Sequence, residues 1–264
     1  MTLACLGTGK MGTALLQGIT ARQLCPASSI FVSDAIPAAV AAAAASVPGI
    51  HAAASNLEAA RAAGVVLLCV KPAGIVPLIE TLQALPESRL LISIAAGVTL
   101  AAMEKAAGHH RVIRVMPNTP ALIGMGAAAY ACGSAATAED AATVERILGA
   151  VGTVTRVAEP LLDAVTGVSG SGPAYVYTFI EALADGGVAE GLPKDQALRL
   201  AAQTVAGAAA LVLQTGQHPA VLRDQVTSPG GTTIAALATL EAKGFRSACI
   251  EAVRTAARRA RELG

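Results

Sequence analysis

The chain has 264 residues, which is long enough for one or two domains with a sizeable hydrophobic core. Its formal net charge of +1 and its aromatic content of 2% argue against nucleic acid as a partner, because protein surfaces that bind nucleic acid are basic and often carry aromatic residues that stack on the bases. Hydrophobic residues make up 54% of the sequence, but many are alanine, and the apolar runs fall short of the roughly 18–20 residues that span a membrane.

The cysteines indicate a reducing compartment. They are odd in number, scattered, and form no Cys-x-x-Cys pair: Cys5, Cys25, Cys69, Cys132 and Cys249. This usage predicts reduced thiols in a cytoplasmic protein, and neither a disulfide framework nor a metal site. The first apolar run follows the start of the chain with no basic segment before it, so no signal peptide is predicted.

Short apolar runs alternate with helix-like segments up to about residue 155. Strands are predicted at residues 3–6, 30–33, 65–70, 90–95, 111–115 and 154–157, and helices at residues 10–22 and 37–46. The strands are apolar throughout, which is typical of a parallel sheet covered on both faces. We therefore expect residues 1–159 to form an α/β Rossmann domain, dinucleotide-binding, with a doubly wound and mainly parallel sheet.

The second part of the chain reads as helical. Strand signals stop after Glu159, and helices are predicted at residues 173–190, 193–214, 231–242 and 245–263. Between Ala197 and Gln214 the only charged residue is Arg199. Because a helix without a polar face must be covered on all sides, residues 160–264 are expected to be an all-α domain that pairs with a second subunit, in a homodimer or higher homo-oligomer.

The first chemical motif is the sequence GTGKMG at residues 7–12. It follows the first strand, opens a helix, and is followed 22 residues after Gly12 by Asp34 at the end of the second strand. A glycine turn alone is often only structural, but this context is that of a dinucleotide site. Glycines there let backbone N–H groups approach a pyrophosphate at a helix N-terminus.

The end of the second strand bears on which dinucleotide binds. The chain has Ser33, Asp34 and Ala35 there, with no lysine or arginine from Gln23 to Ala60. A carboxylate accepts a hydrogen bond from the 2′-hydroxyl of NADH and repels the 2′-phosphate of NADPH, so NADH is favoured with both cofactors accepted. If Asp34 turned away, Ser33 could still donate to a phosphate.

Two further loops follow apolar strands directly. The sequence CVKP lies at residues 69–72 and MPNTP at residues 116–120. Ligands of open α/β sheets bind outside the carboxyl ends of the strands, so both loops are candidate parts of one site. Either loop could instead be an ordinary turn, in which case Lys71 would only be a solvated residue that caps the end of its strand.

Two loops rich in glycine and hydroxyl groups precede helices of the second part. They are GVSGSGP at residues 167–173 and VTSPGGTT at residues 226–233. Glycine loops at helix N-termini bind anions. Thr232 and Thr233 could serve only as N-caps, but capping needs a single hydroxyl, so the second loop is also expected to bind a carboxylate.

These segments together resemble pyrroline-5-carboxylate reductase over nearly the whole chain. The most specific parts are DAVTGVSGSGPAY at residues 163–175 and the 226–233 loop. The resemblance implies a Rossmann domain followed by an all-helical domain through which two subunits intertwine. It further implies a cytoplasmic enzyme that reduces 1-pyrroline-5-carboxylate to L-proline with NADPH or NADH and no metal, the final step of proline biosynthesis.

Candidate site residues follow from these motifs and from the resemblance. Those expected to bind the cofactor are Leu6, Gly7, Thr8, Gly9, Lys10, Met11, Gly12, Ser33, Asp34, Asn56, Cys69, Val70, Lys71, Pro72 and Asn118. Those expected to bind the substrate are Ser228, Gly230, Gly231, Thr232 and Thr233. The resemblance implies that the Thr233 hydroxyl approaches the ring nitrogen, which makes Thr233 the one candidate catalytic residue.

Two alternatives remain open from the residues. One is a related reductase, such as a hydroxyacid dehydrogenase or a general imine reductase. A hydroxyacid dehydrogenase usually needs a catalytic lysine in its interdomain helix, and here Lys194, the only lysine between Lys105 and Lys243, lies at a helix start, which is a poor catalytic position. A catalytically silent dinucleotide-binding regulator is disfavoured by the intact 228–233 loop. None of the four histidines lies in a signature loop, so each is expected to be structural or at the surface.

Overall fold

The structure, a computed structural model, describes residues 1–263. Within them eight strands form one sheet, in the order β3-β2-β1-β4-β5-β6-β7-β8. The strands are β1 Leu3–Leu6, β2 Ile30–Ser33, β3 His51–Ala52, β4 Val65–Leu68, β5 Leu90–Ser93, β6 Arg111–Met116, β7 Gly126–Cys132 and β8 Gly152–Arg156. All neighbouring strands are parallel except β6 and β7. The mainly parallel doubly wound sheet is thus confirmed.

Helices connect the strands and make up the rest of the chain. They are α1 Lys10–Ala21, α2 Pro37–Ser46, α3 Asn56–Arg61, α4 Ile75–Leu82, α5 Leu100–Ala107, α6 Ala138–Gly149, α7 Leu162–Val165, α8 Gly172–Ala189, α9 Lys194–Thr215, α10 Pro219–Gln225, α11 Thr232–Ala242 and α12 Phe245–Leu263. A π-helical turn, Thr166–Gly170, lies between α7 and α8. The helices predicted for the second part of the chain are therefore present, and α10 is an additional one.

The sheet is covered on both faces because the neighbouring strands β1 and β4 are apolar at every position. Leu3 and Cys5 belong to one buried cluster, and Ala4 and Leu6, which point the other way, belong to a second. All four residues of β1 are fully buried. The central strands are thereby fixed in register, and their carboxyl ends meet at one edge of the sheet.

The sequence prediction lacks the strands β3 and β7 and the helices α3 to α6. Four of the seven residues of β7 (GAAAYAC) are alanine, which is depleted in strands, so local preference gives no strand signal. Tertiary pairing overrides it: Ile113–Met116 of β6 pair antiparallel with Ala129–Cys132. Tyr130 anchors β7, because its buried hydroxyl donates a 2.6 Å hydrogen bond to Glu145 of α6.

The chain divides into two compact units. The first comprises residues 1–171 together with the residues from Arg254 onward, and the second comprises residues 172–253. Within the first unit the end of α12 lies against the loop after β5, since a Cβ atom on Gly97 would lie 3.3 Å from the Leu263 carbonyl oxygen. The last turns of the chain therefore pack on the sheet-containing unit.

The second unit is helical and buries little. Its buried apolar cluster consists of Ala184, Ala197 and Ala201, with Ile180 packed against it. By length and composition α9 would be able to cross a membrane, yet few of its residues are buried in the single chain. The sequence prediction of no apolar run long enough for a membrane span counts Gln203 and Thr204 as interruptions, whereas the helix itself continues through both and reaches 22 residues.

Candidate active site

Each glycine of the loop between β1 and α1 has its own structural requirement. Gly7 has φ +100°, and a Cβ atom there would lie 2.7 Å from the Cys69 carbonyl group. A Cβ atom on Gly12 would collide with the Gly7 carbonyl oxygen, whereas one on Gly9 would meet nothing within 4 Å. The first and third glycines thus allow tight packing, and the second leaves the loop open to a ligand, which fits a bound pyrophosphate.

The first turn of α1 has donors available beside this open space. Its N-cap residue is Gly9, which has no side chain to accept from the helix N–H groups. Lys10 is the first helical residue and is exposed. Unpaired N–H groups and the helix dipole favour an anion at this position, and a lysine adds to the attraction.

Asp34 connects the end of β2 to the same loop. Its Oδ2 accepts hydrogen bonds from the Thr8 backbone N–H at 2.6 Å and from the Thr8 hydroxyl at 3.3 Å. Its Oδ1 accepts from the Ile36 backbone N–H at 2.9 Å. Ser33, the last residue of β2, is only 6% exposed. The carboxylate is therefore held at the loop, and the serine is enclosed by the fold.

The end of β4 lies directly against the glycine loop. The Cys69 N–H donates to the Leu6 carbonyl at 2.7 Å, and the Cys5 and Cys69 sulfur atoms are 3.9 Å apart. The hydrogen bond with Cys5, together with burial, raises the pKa of the Cys69 thiol well above its usual range. Cys69 is thus a neutral packing residue, while Lys71 and Pro72 are exposed at the edge.

Asn118 and Asn56 follow other strands at this edge. Asn118 is buried after β6, and its Oδ1 accepts a 2.9 Å hydrogen bond from the Ala127 N–H. That bond uses only the Oδ1 atom, so the NH₂ group of the amide can donate to a ligand. Asn56 is the half-buried first residue of α3, which is capped by Ser55 rather than by Asn56 itself.

Residues 94–97 follow β5 at the same edge and are not among the predicted site residues; the predicted strand at 90–95 ends two residues earlier, at Ser93. Ser93, the last residue of β5, accepts a hydrogen bond from the Ala95 N–H within this turn. Because β5 lies between β4 and β6, its loop adjoins the two predicted ones. The sequence feature that could have indicated this loop is an apolar strand followed by small residues and Gly97.

The candidate substrate loop opens α11 in the second unit. Gly231 is the N-cap residue and Thr232 the first helical residue, with no capping bond from a side chain. Gly230 has φ +68°, and a Cβ atom on Gly231 would collide with the Ser228 hydroxyl. Ser228 and Thr232 are exposed and Thr233 is half-buried. Neither threonine side chain caps the helix, so simple capping does not explain their presence.

The other predicted anion loop, residues 167–173, differs from expectation. Its first part is the π-helical turn Thr166–Gly170, in which Ser169 donates to the Val165 carbonyl at 3.1 Å and Thr166 to the Leu162 carbonyl at 2.9 Å. Consecutive helical turns offer no uncapped N-terminus at this point. The Thr166 and Ser169 hydroxyls thus bond to the backbone, as the Thr227 hydroxyl does before α11.

Three of the four histidines have contacts with the backbone. The His218 side chain accepts from the Ala220 N–H and so caps α10, and His51 contacts the Ser28 carbonyl at 3.0 Å. His110 is buried between the Arg89 N–H and the Leu82 carbonyl. Within residues 1–263 no group of three or more histidine, cysteine or acidic side chains is placed to hold a metal ion.

Known proteins resemble the chain along its whole length. The pyrroline-5-carboxylate reductase of Pisum sativum is 46% identical over 263 residues, which cover 99% of this chain and 96% of the pea protein. The chain belongs to the pyrroline-5-carboxylate reductase family. The model of the family's dimerisation region, described as "Pyrroline-5-carboxylate reductase dimerisation", matches residues 159–263. A second model, "NADP oxidoreductase coenzyme F420-dependent", matches residues 2–97.

Solved structures of the reductase family share the fold. The Coxiella burnetii pyrroline-5-carboxylate reductase has a TM-score of 0.94 and 36% identity, covering 100% of this chain and 98% of that chain. The Plasmodium falciparum pyrroline carboxylate reductase, solved with NADP bound, has a TM-score of 0.87 and 30% identity, with coverage of 100% and 98%. The expected membership of this family is thus confirmed.

Proposed function

We propose that this chain reduces 1-pyrroline-5-carboxylate to L-proline by hydride transfer from NADPH or NADH, the final step of proline biosynthesis. The observation that carries the proposal is the match to the pea enzyme, 46% identical over 99% of the chain. It spans both the glycine loop of the first unit and the 228–233 loop of the second. The alternatives of a related reductase and a silent regulator find no such support.

The carboxyl edge of the sheet is the proposed cofactor site. Gly9 leaves open space at the loop, the first turn of α1 has uncapped N–H groups, and Lys10 adds a positive charge. The predicted residues at the ends of β2, β4 and β6 and at the start of α3 complete the proposed set. When bound, the nicotinamide dinucleotide supplies the hydride. The protein's own contribution is to bind and orient, so no metal is required.

The loop before α11 is the proposed substrate site. The Ser228 and Thr232 hydroxyls and the N–H groups of Thr232 and Thr233, in the first turn of α11, bind the carboxylate, as expected at a helix N-terminus without a side-chain cap. The Thr233 hydroxyl contacts the ring nitrogen. A cyclic imine protonated on nitrogen is already a strong electrophile, so Thr233 has to orient the ring rather than activate it.

We assign the dinucleotide-binding domain to residues 1–159 and the substrate and dimerisation domain to residues 160–264, in a homodimer in the cytoplasm. The apolar residues exposed along α9 support a partner subunit, since monomeric proteins seldom leave large apolar patches uncovered. A partner that covers α9 also accounts for its hydropathy without a membrane. The five free cysteines support a reducing compartment.

The test is turnover with purified protein. Oxidation of NADH or NADPH, followed at the absorbance of the reduced nicotinamide, should occur only when pyrroline-5-carboxylate is present, and EDTA should leave the rate unchanged. Proline should appear in proportion to the cofactor consumed. Absence of turnover with both cofactors would refute the assignment.

A further inference from the structure

We propose that Asp34 makes this chain select NADH over NADPH, an inference that rests on the proposed nicotinamide-dependent function. The sequence left two possibilities for the end of β2: a carboxylate that faces the cofactor, or a carboxylate that turns away so that Ser33 binds a phosphate. The hydrogen bonds of Asp34 and the burial of Ser33 distinguish them.

Asp34 is held in place at the glycine loop. Two donors of Thr8 bind one carboxylate oxygen, at 2.6 Å and 3.3 Å, and the Ile36 N–H binds the other at 2.9 Å. The Thr8 N–H belongs to the loop that approaches the cofactor, so turning the carboxylate away would leave a loop donor without its partner. The negative charge is therefore a fixed feature of this edge.

Ser33 does not offer the alternative contact. It is the last residue of β2 and only 6% exposed, whereas Asp34, the next residue, is half-buried and is therefore the more accessible of the two to a ligand at this edge. No lysine or arginine lies between Arg22 and Arg61, so no cation from β2, α2 or β3 counters the carboxylate. Lys10 is on the first turn of α1, where the pyrophosphate common to both cofactors binds, so its charge favours both alike.

The carboxylate retains capacity for a ribose hydroxyl. A carboxylate has about four acceptor positions, and the described residues use three of them. The remaining position can accept from the 2′-hydroxyl of NADH. The 2′-phosphate of NADPH offers no such donor and carries nearly two negative charges, so it is repelled. The Plasmodium falciparum relative holds NADP, and the selection proposed here is a property of this chain's own β2 end.

Equilibrium binding to the purified chain tests this without turnover. Calorimetry measures the Kd of ADP and of 2′,5′-ADP, which lack the nicotinamide, and nicotinamide fluorescence measures the Kd of NADH and NADPH. We expect at least about tenfold tighter binding of NADH than of NADPH, the size that a fixed like charge near the phosphate produces. Asp34→Asn should reduce that ratio about tenfold.

Two further variants serve as a second test of the charge and as a control. Asp34→Ser removes the charge but keeps a small acceptor for the Thr8 N–H, and it should shift the ratio in the same direction if Asp34→Asn folds poorly. Glu58→Gln removes an exposed carboxylate from the nearby helix α3 and should leave the ratio within about twofold.

A parent that binds NADPH as tightly as NADH, or Asp34 variants with an unchanged ratio, would overturn the proposal. The outcome is separable from that of the proposed function. Selective binding of NADH without turnover of pyrroline-5-carboxylate would refute the function alone, and turnover with a preference for NADPH would refute the selection alone.

Discussion

The two units of the chain differ in how they obtain a hydrophobic core. In the first, large side chains such as Leu67 and Leu68 are fully buried in clusters on the two faces of the sheet. In the second, the buried cluster consists of three alanines, while Leu198, Leu200 and Leu213 are exposed. The first unit thus closes its core with its own residues, whereas the second requires a surface from outside, which we assign to a second subunit.

The largest effect is expected from a charge on α9. Leu200 is 58% exposed in the single chain, and Leu200→Glu would place an unpaired carboxylate in the proposed subunit interface, which costs several kcal/mol. The variant should be monomeric or unfolded and inactive in light scattering and activity assays at micromolar concentration. The matched control is Ile36→Glu in the first unit, where the side chain is 62% exposed, and it should leave assembly unchanged.

A dimeric Leu200→Glu variant, or a parent that is active as a monomer, would contradict this comparison. Either result would mean that the apolar residues of α9 can stay exposed to solvent without a partner subunit.

The next effect concerns the core of the first unit. Leu67 of β4 is fully buried, so Leu67→Ala should lower the free energy of unfolding by about 2–5 kcal/mol, whereas Leu67→Met should cost less than about 1.5 kcal/mol. Urea denaturation measures both. If Leu67→Ala cost no more than Leu67→Met, the sheet would not have the closed core that distinguishes it from the second unit.

A smaller effect, on kcat/KM for the imine but not on the Kd of the cofactor, is expected from variants of the proposed substrate loop. Thr233→Ala and Ser228→Ala should each remove a hydrogen bond to a charged group, worth about 1.5–3 kcal/mol, and so lower kcat/KM for the imine roughly ten- to a hundredfold. The Kd of the reduced cofactor should not change. Thr227→Ser is the control, because the Thr227 hydroxyl is already bonded to the Arg223 carbonyl at 2.7 Å. Near-parental kinetics for both alanine variants would refute the substrate loop.

The smallest effect is a pH dependence confined to the first unit. Burial lowers the pKa of His110, and the charges of His109, Arg89 and Arg111 act in the same direction, while the hydrogen bond to the Leu82 carbonyl opposes them. The unfolded chain therefore binds a proton more readily than the folded one. Stability from neutral His110 is complete above its unfolded pKa of about 6.5 and is lost as the pH falls below it, by at most about 1.4 kcal/mol per pH unit.

Urea midpoints between pH 7.5 and pH 5 measure this loss. His110→Gln should flatten the dependence, and His109→Gln, at an exposed neighbouring position, should flatten it much less, because burial is the main cause of the lowered pKa of His110. An equal slope in the parent and in His110→Gln would show that other groups cause it.

The sequence was sufficient for features that depend on local residue type. The glycine loop could be predicted because a turn at φ +100° and the approach of Gly7 to Cys69 exclude a side chain. The helices of the second unit could be predicted from proline at their starts and long apolar runs. The fold class followed from apolar strands alternating with helices.

Features set by distant partners could not be read in this way. Strand β7 is largely alanine and exists because β6 and β8 flank it. The contact of Asp34 with Thr8 joins residues 26 positions apart, which the parallel pairing of β1 and β2 brings together. The loop after β5 was missed because its small residues carry no chemistry of their own, and only the strand order places it between two predicted loops.

The packing of the last turns of α12 on the first unit has a consequence for biosynthesis on the ribosome. Residues from Arg254 onward belong to that unit, and Leu263 lies against Gly97. The sheet can pair as soon as Arg156 has emerged, but the segment that completes the first unit is made only after the whole of the second unit, residues 172–253. The nascent chain therefore carries an incomplete first unit while the second is being made, and a chain that stops at Val253 should fold to a less stable first unit.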